Sequence, residues 1–335
     1  MKKAIFLCSN ENAINRVYSS ETKSKLCSEL EFPAEVITKG NIEKYIDFTN
    51  ECSYIFSTWG MIQLNKDEIA KYLKNAEVVF YAAGSVQNFA REYLESGIRV
   101  SSAWVANGIP VAETTVSQIL LSGRGYFRVA AEMKKTNNWG SAGKVASNYK
   151  GNYYAKVGLI GAGAVGRKVI ELLKNFDIEI FVYDPYLSDE TAEKLGAKKL
   201  SLEEIFSECD VISNHAPNLP ATENMLNKTH FALMKDYSTF INTGRGQQIV
   251  EADMIAALKN NPTITALLDV TYPEPPNPDS ELYILENVFL SPHIAGSLGN
   301  EVHRMAEFMY CEYKLFEAEN KLNYEVTIPM LETMA

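Results

Sequence analysis

Three side chains with catalytic potential follow three apolar segments in the second half of the sequence. Arg245 comes just after "STFIN", Glu274 lies in the loop after "ITALLDV", and His293 follows "NVFLS". If these segments are parallel strands, their carboxyl ends share one edge of a sheet, which is where ligands bind in open α/β sheets. An arginine can hold a carboxylate through two parallel hydrogen bonds. A histidine paired with a glutamate can give or take a proton near neutral pH.

Each of these residues also has a structural explanation when it is taken alone. Glu274 could be a loop acid in solvent, and His293 could be a core histidine with satisfied hydrogen bonds. Arg245 is harder to explain in this way, because it lies between Gly244 and Gly246 and a buried arginine requires an anion. Taken together, the three residues indicate acid–base chemistry on a substrate that carries a carboxylate.

The glycine-rich segment "VGLIGAGAVG" points independently to a dinucleotide site. A strand pattern precedes the glycines and an amphipathic helix pattern follows them, as in a βαβ unit that binds a dinucleotide. Gly161 would make the tight turn, Gly163 would let a pyrophosphate approach, and Gly166 would let the helix pack on the strand. The N–H groups of Ala164 and Val165, at the start of the helix, would donate to the phosphates.

Asp184 ends the next strand pattern and indicates which dinucleotide binds. Its carboxylate would accept hydrogen bonds from the adenosine ribose and would repel a 2′-phosphate. The segment "DPYL" contains no arginine to offset that repulsion, so NAD is favoured over NADP. The chemistry is then hydride transfer, in which Arg245 holds the substrate carboxylate, His293 moves the hydroxyl proton and Glu274 orients His293. Asp269 could accept a hydrogen bond from the nicotinamide carboxamide.

Strand-like and helix-like segments alternate twice along the chain. The first series covers residues 1–101, and the second begins near residue 156. This alternation favours an α/β fold with two doubly wound parallel-sheet domains. The break at "NGIP" and the single helix pattern after residue 298 predict a discontinuous substrate domain, 1–104 with 298–335, and an NAD-binding domain, 105–297.

The pattern over residues 111–134 predicts one long helix with apolar side chains on more than one side. Such a helix is buried either inside a domain or in a subunit interface. We therefore expect a homodimer that forms through this helix.

The overall composition excludes several classes of function. The net charge is −10 and the pI is about 5.1, so no binding to nucleic acid or to an anionic membrane is expected. No apolar run approaches the roughly 18 residues of a membrane span, and the run at residues 4–8 is too short for a signal peptide. The five cysteines are scattered without a CxxC pair, so the sequence predicts neither a disulfide framework nor a metal site and favours a reducing cytoplasm.

The sequence resembles the D-isomer-specific 2-hydroxyacid dehydrogenases, a family of NAD-dependent enzymes. The resemblance rests on "VGLIGAGAVG", "VYDPY", "HAPNLPAT", "FINTGRG", "LLDVTYPEP" and "SPHIAG" in the family's order, and it covers about residues 75–300. It implies a Rossmann NAD-binding domain inserted into a flavodoxin-like substrate domain, with Arg245, Glu274 and His293 as the catalytic residues. The cofactor contacts expected within these motifs are Asp184, His215, Ala216, Pro217, Thr222, Thr243, Gly244, Asp269 and Gly296. For His215, a structural role is an equal alternative.

The segment "AAGSVQNF" resembles the family's substrate loop, in which the N–H groups of Ala83, Gly84 and Ser85 would face the substrate carboxylate. Trp59, in "FSTWGM", matches no family member of known substrate, and we expect it to lie near the substrate. We also expect no basic residue near either of these loops to hold a substrate phosphate, which disfavours a phosphorylated substrate.

Two other functions are compatible with an NAD-binding fold. A non-catalytic NAD(H)-sensing regulator or scaffold would not need the complete Arg–Glu–His set. An enzyme similar to S-adenosylhomocysteine hydrolase would need a lysine and paired acids that the sequence does not offer. The sequence therefore favours an oxidoreductase that acts on CH–OH groups, and it leaves the particular 2-keto acid and the direction of the reaction open.

Overall fold

The computed structural model describes residues 1–334. The helices are α1 Glu11–Val17, α2 Ser20–Glu29, α3 Ile46–Glu51, α4 Lys66–Tyr72, α5 Ala90–Glu95, α6 Trp104–Gly123, α7 Tyr126–Thr136, α8 Trp139–Ala146, α9 Ala164–Leu173, α10 Asp189–Leu195, α11 Leu202–Glu208, α12 Lys228–Phe231, α13 Glu251–Asn260 and α14 Glu301–Glu319. The strands are β1 Lys3–Phe6, β2 Cys52–Ser57, β3 Val78–Tyr81, β4 Arg99–Ser102, β5 Ala155–Ile160, β6 Ile178–Tyr183, β7 Lys198–Lys199, β8 Val211–Asn214, β9 Thr239–Asn242, β10 Thr265–Leu268, β11 Val288–Leu290 and β12 Glu325–Val326.

The chain divides into two compact units. Unit 1 contains Met1–Gly108 and the chain from Ser297 onward, and unit 2 contains Ile109–Gly296. The chain crosses between the units at 108/109 and 296/297, whereas the sequence placed these crossings at 104/105 and 297/298. Unit 2 is therefore inserted between two segments of unit 1.

The sheet of unit 1 has the strand order β1-β2-β3-β4-β12. Strands β1 to β4 run parallel, and β12 adds an antiparallel edge that the sequence did not predict. Beyond β1, Glu31 and Ile37 form isolated parallel bridges with Lys3 and Leu7. The chain thus runs along one edge of β1 at Glu31 and Ile37 and then crosses to β2, which pairs with the other edge of β1. This reversal is a topological switch point, and ligands bind at the carboxyl ends of the strands at such points.

Apolar side chains alternate along these strands and bury both faces of the sheet. Ile55 and Val79 lie in the core on one face, and Phe56 and Phe80 lie in the core on the other. Helix α14 covers the second face, where Met309 joins the same cluster. The C-terminal helix thus belongs to unit 1, although the chain reaches it only after unit 2.

The sheet of unit 2 has the order β11-β10-β9-β8-β5-β6-β7, and all neighbouring strands are parallel. The chain moves from β5 outward to β6 and β7, and then returns to β8 on the other side of β5. This is the order of a Rossmann fold with one additional strand, and its switch point lies between β5 and β8. The predicted α/β fold of two doubly wound sheets is confirmed.

The prediction of one helix over residues 111–134 is wrong. The structure has two helices, α6 and α7, with a turn between them. Gly125 lies in this turn with a φ of +64°, and a side chain there would overlap the ring of Tyr149. The turn therefore requires glycine, which ends the first helix before the apolar pattern ends.

Helix α6 also begins earlier than the sequence predicts. Pro110 lies inside it, although "NGIP" suggested a break. A proline removes one backbone hydrogen bond from a helix, and the burial of Ala112, Val116 and Ile119 in the core of unit 2 compensates for that loss. Although α6 is long, no helix within residues 1–334 combines the length and the hydropathy that crossing a membrane requires.

Candidate active site

The turn between β5 and α9 packs so tightly that it depends on glycine. Gly161 has a φ of +96°, and a Cβ there would lie 2.8 Å from the carbonyl oxygen of His215, at the end of β8. A Cβ on Gly166 would overlap the carbonyl oxygen of Gly161. At Gly163, by contrast, no atom lies within 4 Å of the Cβ position. The turn is thus fixed against the sheet on one side and open to a ligand on the other.

The start of α9 offers unpaired N–H groups. Gly163 is the N-cap residue and supplies no capping side chain. Within residues 1–334, the N–H groups of Ala164 and Val165 donate to no acceptor. Unpaired N–H groups in the first turn and the positive end of the helix dipole both favour a phosphate. The turn therefore fits the pyrophosphate of NAD.

Asp184 follows β6 and fixes the glycine-rich turn. Its Oδ2 accepts the N–H of Ala162 and its Oδ1 accepts the N–H of Tyr186, each at 2.8 Å. Each oxygen keeps a further lone pair for a ribose hydroxyl. The segment "DPYL" contains no arginine, but Arg167 in α9 donates from Nε to the carbonyl oxygen of Ala162 at 2.8 Å, and the N–H of the same residue is bound by Asp184.

Arg245, Glu274 and His293 follow β9, β10 and β11, which are neighbours in the sheet of unit 2. The Nδ1 atom of His293 lies 2.6 Å from Oε1 of Glu274. Both side chains are nearly half exposed, at 46% and 42%. Because Nδ1 faces the carboxylate, Nε2 is the ring nitrogen that can reach a substrate.

The loop that carries His293 is held by Asp269. His293 has a φ of +53°, which is unusual for a residue other than glycine, and its N–H donates to the carbonyl oxygen of Asp269 at 2.9 Å. The buried carboxylate of Asp269 accepts from Ser291 Oγ at 2.6 Å, from the N–H of Ile294 at 2.8 Å and from the N–H of Ala295 at 2.9 Å. These bonds keep the backbone of His293 in its strained conformation. A contact between Asp269 and the nicotinamide carboxamide stays a prediction.

Arg245 is partly buried, and it forms no ion pair with any carboxylate within residues 1–334. Its Nη1 donates to the carbonyl oxygen of Gly244 at 2.7 Å. Burial lowers the pKa of Arg245, and the nearby charge of Glu274 opposes that shift. A side chain at Gly246 would overlap the backbone of Thr271, so the loops after β9 and β10 are pressed together. The guanidinium is therefore desolvated without an anion of its own, and a substrate carboxylate would supply one.

His215, at the end of β8, differs from His293 in its surroundings. Its Nε2 lies 3.0 Å from Ser213 Oγ, and its Nδ1 lies 3.5 Å from Thr243 Oγ1. Thr243 Oγ1 in turn lies 3.2 Å from Thr115 Oγ1 in α6. Burial lowers the pKa of His215 to about 4, so the ring is neutral at physiological pH. A neutral ring of this kind cannot act as a cationic acid.

Gln248, which the sequence analysis missed, fixes the loop after β8 through hydrogen bonds. The buried Gln248 donates from Nε2 to the carbonyl oxygens of Ala216 and Pro217, at 2.6 and 2.8 Å. Thr222 donates from Oγ1 to the carbonyl oxygen of Pro217 at 2.6 Å. Gln248 also accepts a hydrogen bond from Asn214 Nδ2. No local sequence pattern marks Gln248, because its partners come from a different strand end.

Two further predicted cofactor residues are glycines at loop positions. The N–H of Gly244 donates to Oδ1 of Asn242 at 3.0 Å, and Gly296 is the last residue of unit 2.

All five cysteines are free thiols. Within the described chain, no three His, Cys, Asp or Glu side chains come together as a ligand set for a metal ion.

The predicted substrate residues of unit 1 follow two adjacent parallel strands, Trp59 after β2 and residues 83–85 after β3. Of the three predicted donors, the N–H groups of Gly84 and Ser85 have no acceptor within the described residues. The N–H of Ala83 instead donates to the carbonyl oxygen of Tyr81, the last residue of β3, at 2.9 Å. Ser102 Oγ donates to the carbonyl oxygens of Ala83 and Gly84, at 2.9 and 2.7 Å, and holds the loop in place.

A basic residue that the sequence analysis missed lies beside Trp59. The guanidinium carbon of Arg16, in α1, lies 5.7 Å from the centre of the Trp59 ring. The expectation that no basic residue lies near the loops of unit 1 is therefore wrong. Two further helices, α2 and α3, separate Arg16 from β2 along the chain. The contact between Arg16 and Trp59 could therefore not be inferred from spacing in the sequence.

Residues 116–295 match the family model described as D-isomer specific 2-hydroxyacid dehydrogenase, NAD binding domain. The chain belongs to the D-isomer specific 2-hydroxyacid dehydrogenase family. The matched residues lie in unit 2 and include the turn at Gly161, Arg245, Glu274 and His293. The cofactor of this domain is NAD, which agrees with the fit of the turn to a pyrophosphate.

Relatives within the family have different named substrates. The D-3-phosphoglycerate dehydrogenase of Archaeoglobus fulgidus is 31% identical over 231 residues, which are 69% of this chain and 43% of that protein. The chain thus spans about half the length of the curated relatives it matches. A phosphoglycerate oxidoreductase from Rhizobium etli has the same fold, with a TM-score of 0.82 at 21% identity over 99% of this chain and 100% of that one. The D-mandelate dehydrogenase of Rhodotorula graminis also has this fold, with a TM-score of 0.81 at 20% identity over 98% of each chain.

Proposed function

We propose that this protein is an NAD-dependent D-2-hydroxyacid dehydrogenase that reduces a small 2-keto acid or catalyses the reverse reaction. The observation that carries the proposal is the 2.6 Å contact between His293 Nδ1 and Glu274 Oε1, near an Arg245 that forms no ion pair within residues 1–334. A carboxylate-paired imidazole and a desolvated guanidinium are the groups that a 2-keto acid requires.

In this proposal, NADH would supply the hydride when it is bound. The side chains of unit 2 bind the substrate and transfer the proton. Arg245 holds the carboxylate of the 2-keto acid through its planar guanidinium. His293 donates a proton from Nε2 to the carbonyl oxygen during reduction, and it takes that proton from the hydroxyl during oxidation. Glu274 accepts the Nδ1 hydrogen bond, fixes the ring and stabilises the charged imidazole.

The test is the oxidation of NADH in the presence of a panel of 2-keto acids that includes glyoxylate, hydroxypyruvate and pyruvate. We expect turnover of at least one of these acids, and no NADH oxidation when the acid is left out. Tight NADH binding without turnover of any acid would contradict the proposal and would favour an NADH-sensing scaffold.

We expect kcat/KM to favour NADH over NADPH by at least about tenfold, because the Asp184 carboxylate would face the 2′-phosphate. Asp184→Ala should relax this preference. Arg167 could then pair with the phosphate, so the double variant Asp184→Ala/Arg167→Ala should lose the gain with NADPH. Equal kcat/KM values for the two cofactors in the unaltered protein would refute this prediction.

We also propose that the protein is a homodimer and acts in the cytoplasm. Helix α7 has no buried residue, and Trp139 in the neighbouring α8 is 85% exposed, which leaves apolar surface for a second copy. Sedimentation at micromolar concentration should show a species of twice the 37.5 kDa chain mass. Trp139→Lys should weaken the association, and a purely monomeric unaltered protein would rule out the dimer.

A further inference from the structure

Three buried amide side chains form a hydrogen-bonded cluster at the ends of β8 and β9. Asn214 ends β8, Asn242 ends β9, and Gln248 follows Arg245 by three residues. All three side chains are fully buried. Asn214 donates from Nδ2 to Asn242 Oδ1 at 3.0 Å and also to Gln248 Oε1. We refer to these three residues as the amide cluster. Buried amides of this kind are stable only where their donors face acceptors.

The amide cluster holds the loop after β8. Gln248 donates from Nε2 to the carbonyl oxygens of Ala216 and Pro217, at 2.6 and 2.8 Å. The N–H of Ala216 donates to Oδ1 of Asn214 at 3.2 Å. Carbonyl oxygens only accept hydrogen bonds, so the orientation of the Gln248 amide is fixed. An apolar side chain of the same size would remove the donor from both carbonyl oxygens.

This loop borders the turn between β5 and α9 that fits the pyrophosphate of NAD. A Cβ on Gly161, in that turn, would lie 2.8 Å from the carbonyl oxygen of His215 and 2.9 Å from the backbone nitrogen of Ala216. The two backbone segments are thus in direct contact. A shift of the loop after β8 would therefore change the shape of the turn, because closely packed segments move together.

The amide cluster also holds the loop that carries Arg245. Asn242 donates from Nδ2 to the carbonyl oxygen of Arg245 at 3.1 Å, and its Oδ1 accepts the N–H of Gly244 at 3.0 Å. A Cβ on Gly244 would lie 3.1 Å from Asn214 Nδ2 and 3.2 Å from Gln248 Oε1. The backbone before Arg245 is thus packed directly on the cluster.

We propose that Gln248 is a positioning residue that fixes two loops of unit 2 at once. One loop borders the pyrophosphate turn, and the other carries Arg245. Gln248 acts through the backbone of the first loop and, for the second loop, through the other two amides of the cluster. Its loss should therefore weaken the binding of NADH and of the 2-keto acid. The part that concerns the 2-keto acid rests on the proposed function, whereas the part that concerns NADH does not.

The variant Gln248→Met keeps the length of the side chain and removes the amide. We expect the Kd for NADH, measured by fluorescence titration, to rise by about tenfold or more, because two buried carbonyl oxygens lose a donor. KM for the preferred 2-keto acid should rise as well, and kcat should fall by less than about threefold, since His293 and Glu274 are unaltered. If Gln248→Met does not fold, Gln248→Asn replaces it. The shorter amide cannot reach both carbonyl oxygens, so the same rise in the Kd is expected.

Asn287 provides a matched control because it makes the same kind of contact away from the site. It is buried just before β11, and its Nδ2 donates to the carbonyl oxygens of Leu258 and Ile264, at 3.0 and 2.9 Å. Asn287→Leu should lower the midpoint of thermal unfolding about as much as Gln248→Met does. It should leave the Kd for NADH unchanged, which separates positioning from stability alone.

The outcomes separate this inference from the proposed function. A Kd for NADH that Gln248→Met leaves unchanged, or that Asn287→Leu raises equally, would overturn the inference while the proposed function stands. A raised Kd with an unchanged KM for the 2-keto acid would overturn the action of Gln248 on the Arg245 loop. Failure of the unaltered protein to reduce any 2-keto acid would overturn the proposed function, and the NADH titrations would still decide whether Gln248 positions the loop after β8.

Discussion

The variant His293→Ala should reduce 2-keto acids with a kcat lowered by about 10²-fold or more, because it removes the proton donor for the carbonyl oxygen. KM should change little, since the imidazole serves mainly the transition state. Steady-state kinetics with the preferred 2-keto acid measure both values. NADH binding, followed by fluorescence titration, should stay unchanged.

His303 provides a matched control for this variant. It lies in unit 1, where its Nδ1 is 3.1 Å from the carbonyl oxygen of Val17. We expect His303→Asn to keep kcat close to that of the unaltered protein. If the two histidine variants lose the same activity, His293 is not the specific acid of the reaction.

The variant Arg245→Ala should raise KM for the 2-keto acid steeply and lower kcat/KM by about 10²-fold or more. The guanidinium would hold the substrate carboxylate in the ground state and in the transition state, so both KM and kcat/KM depend on it. Arg245→Lys should recover only part of the loss, because an ammonium keeps the charge but cannot form the planar pair of bonds.

Added guanidinium ions provide a further check on Arg245. They should restore part of the activity of Arg245→Ala, since they can occupy the space that the side chain leaves. A KM that does not change in Arg245→Ala would exclude this residue as the carboxylate ligand.

Local sequence patterns predicted the parts of the site that depend on strand ends. The glycines at 161, 163 and 166 and the acid at 184 have fixed positions relative to one strand–turn–helix–strand unit. Arg245, Glu274 and His293 each follow an apolar strand, and parallel strands bring such positions to one edge. The fold class and the proximity of Glu274 to His293 could therefore be inferred without coordinates.

Contacts between distant segments could not be inferred in this way. The stacking of Arg16 on Trp59 depends on how α1 packs beside β2, and no periodicity of either segment encodes it. Arg167 reaches the Ala162 carbonyl oxygen only because its side chain folds back along the turn. The hydrogen bonds of Asp269 to the loop after β11 likewise depend on the pairing of β10 with β11.

The ends of helices and strands were harder to predict where tertiary packing overrides a local sequence pattern. Pro110 suggested the end of a segment, yet α6 continues through it because its apolar side is buried in unit 2. The chain at Glu31 and Ile37 forms only single bridges with the β1 region, so no continuous strand forms there.

The central claim, that His293 acts as the acid with Glu274 as its partner, is tested most directly by the pH profile of Glu274→Gln. The glutamine keeps the shape of the side chain but loses the charge that stabilises the protonated imidazole. Reduction needs protonated His293, so a smaller fraction of the variant is active at each alkaline pH. We therefore expect the upper pH limit of kcat/KM for 2-keto acid reduction to move to lower pH. A limit that stays in place or moves to higher pH would contradict the pairing and the assignment of all three residues.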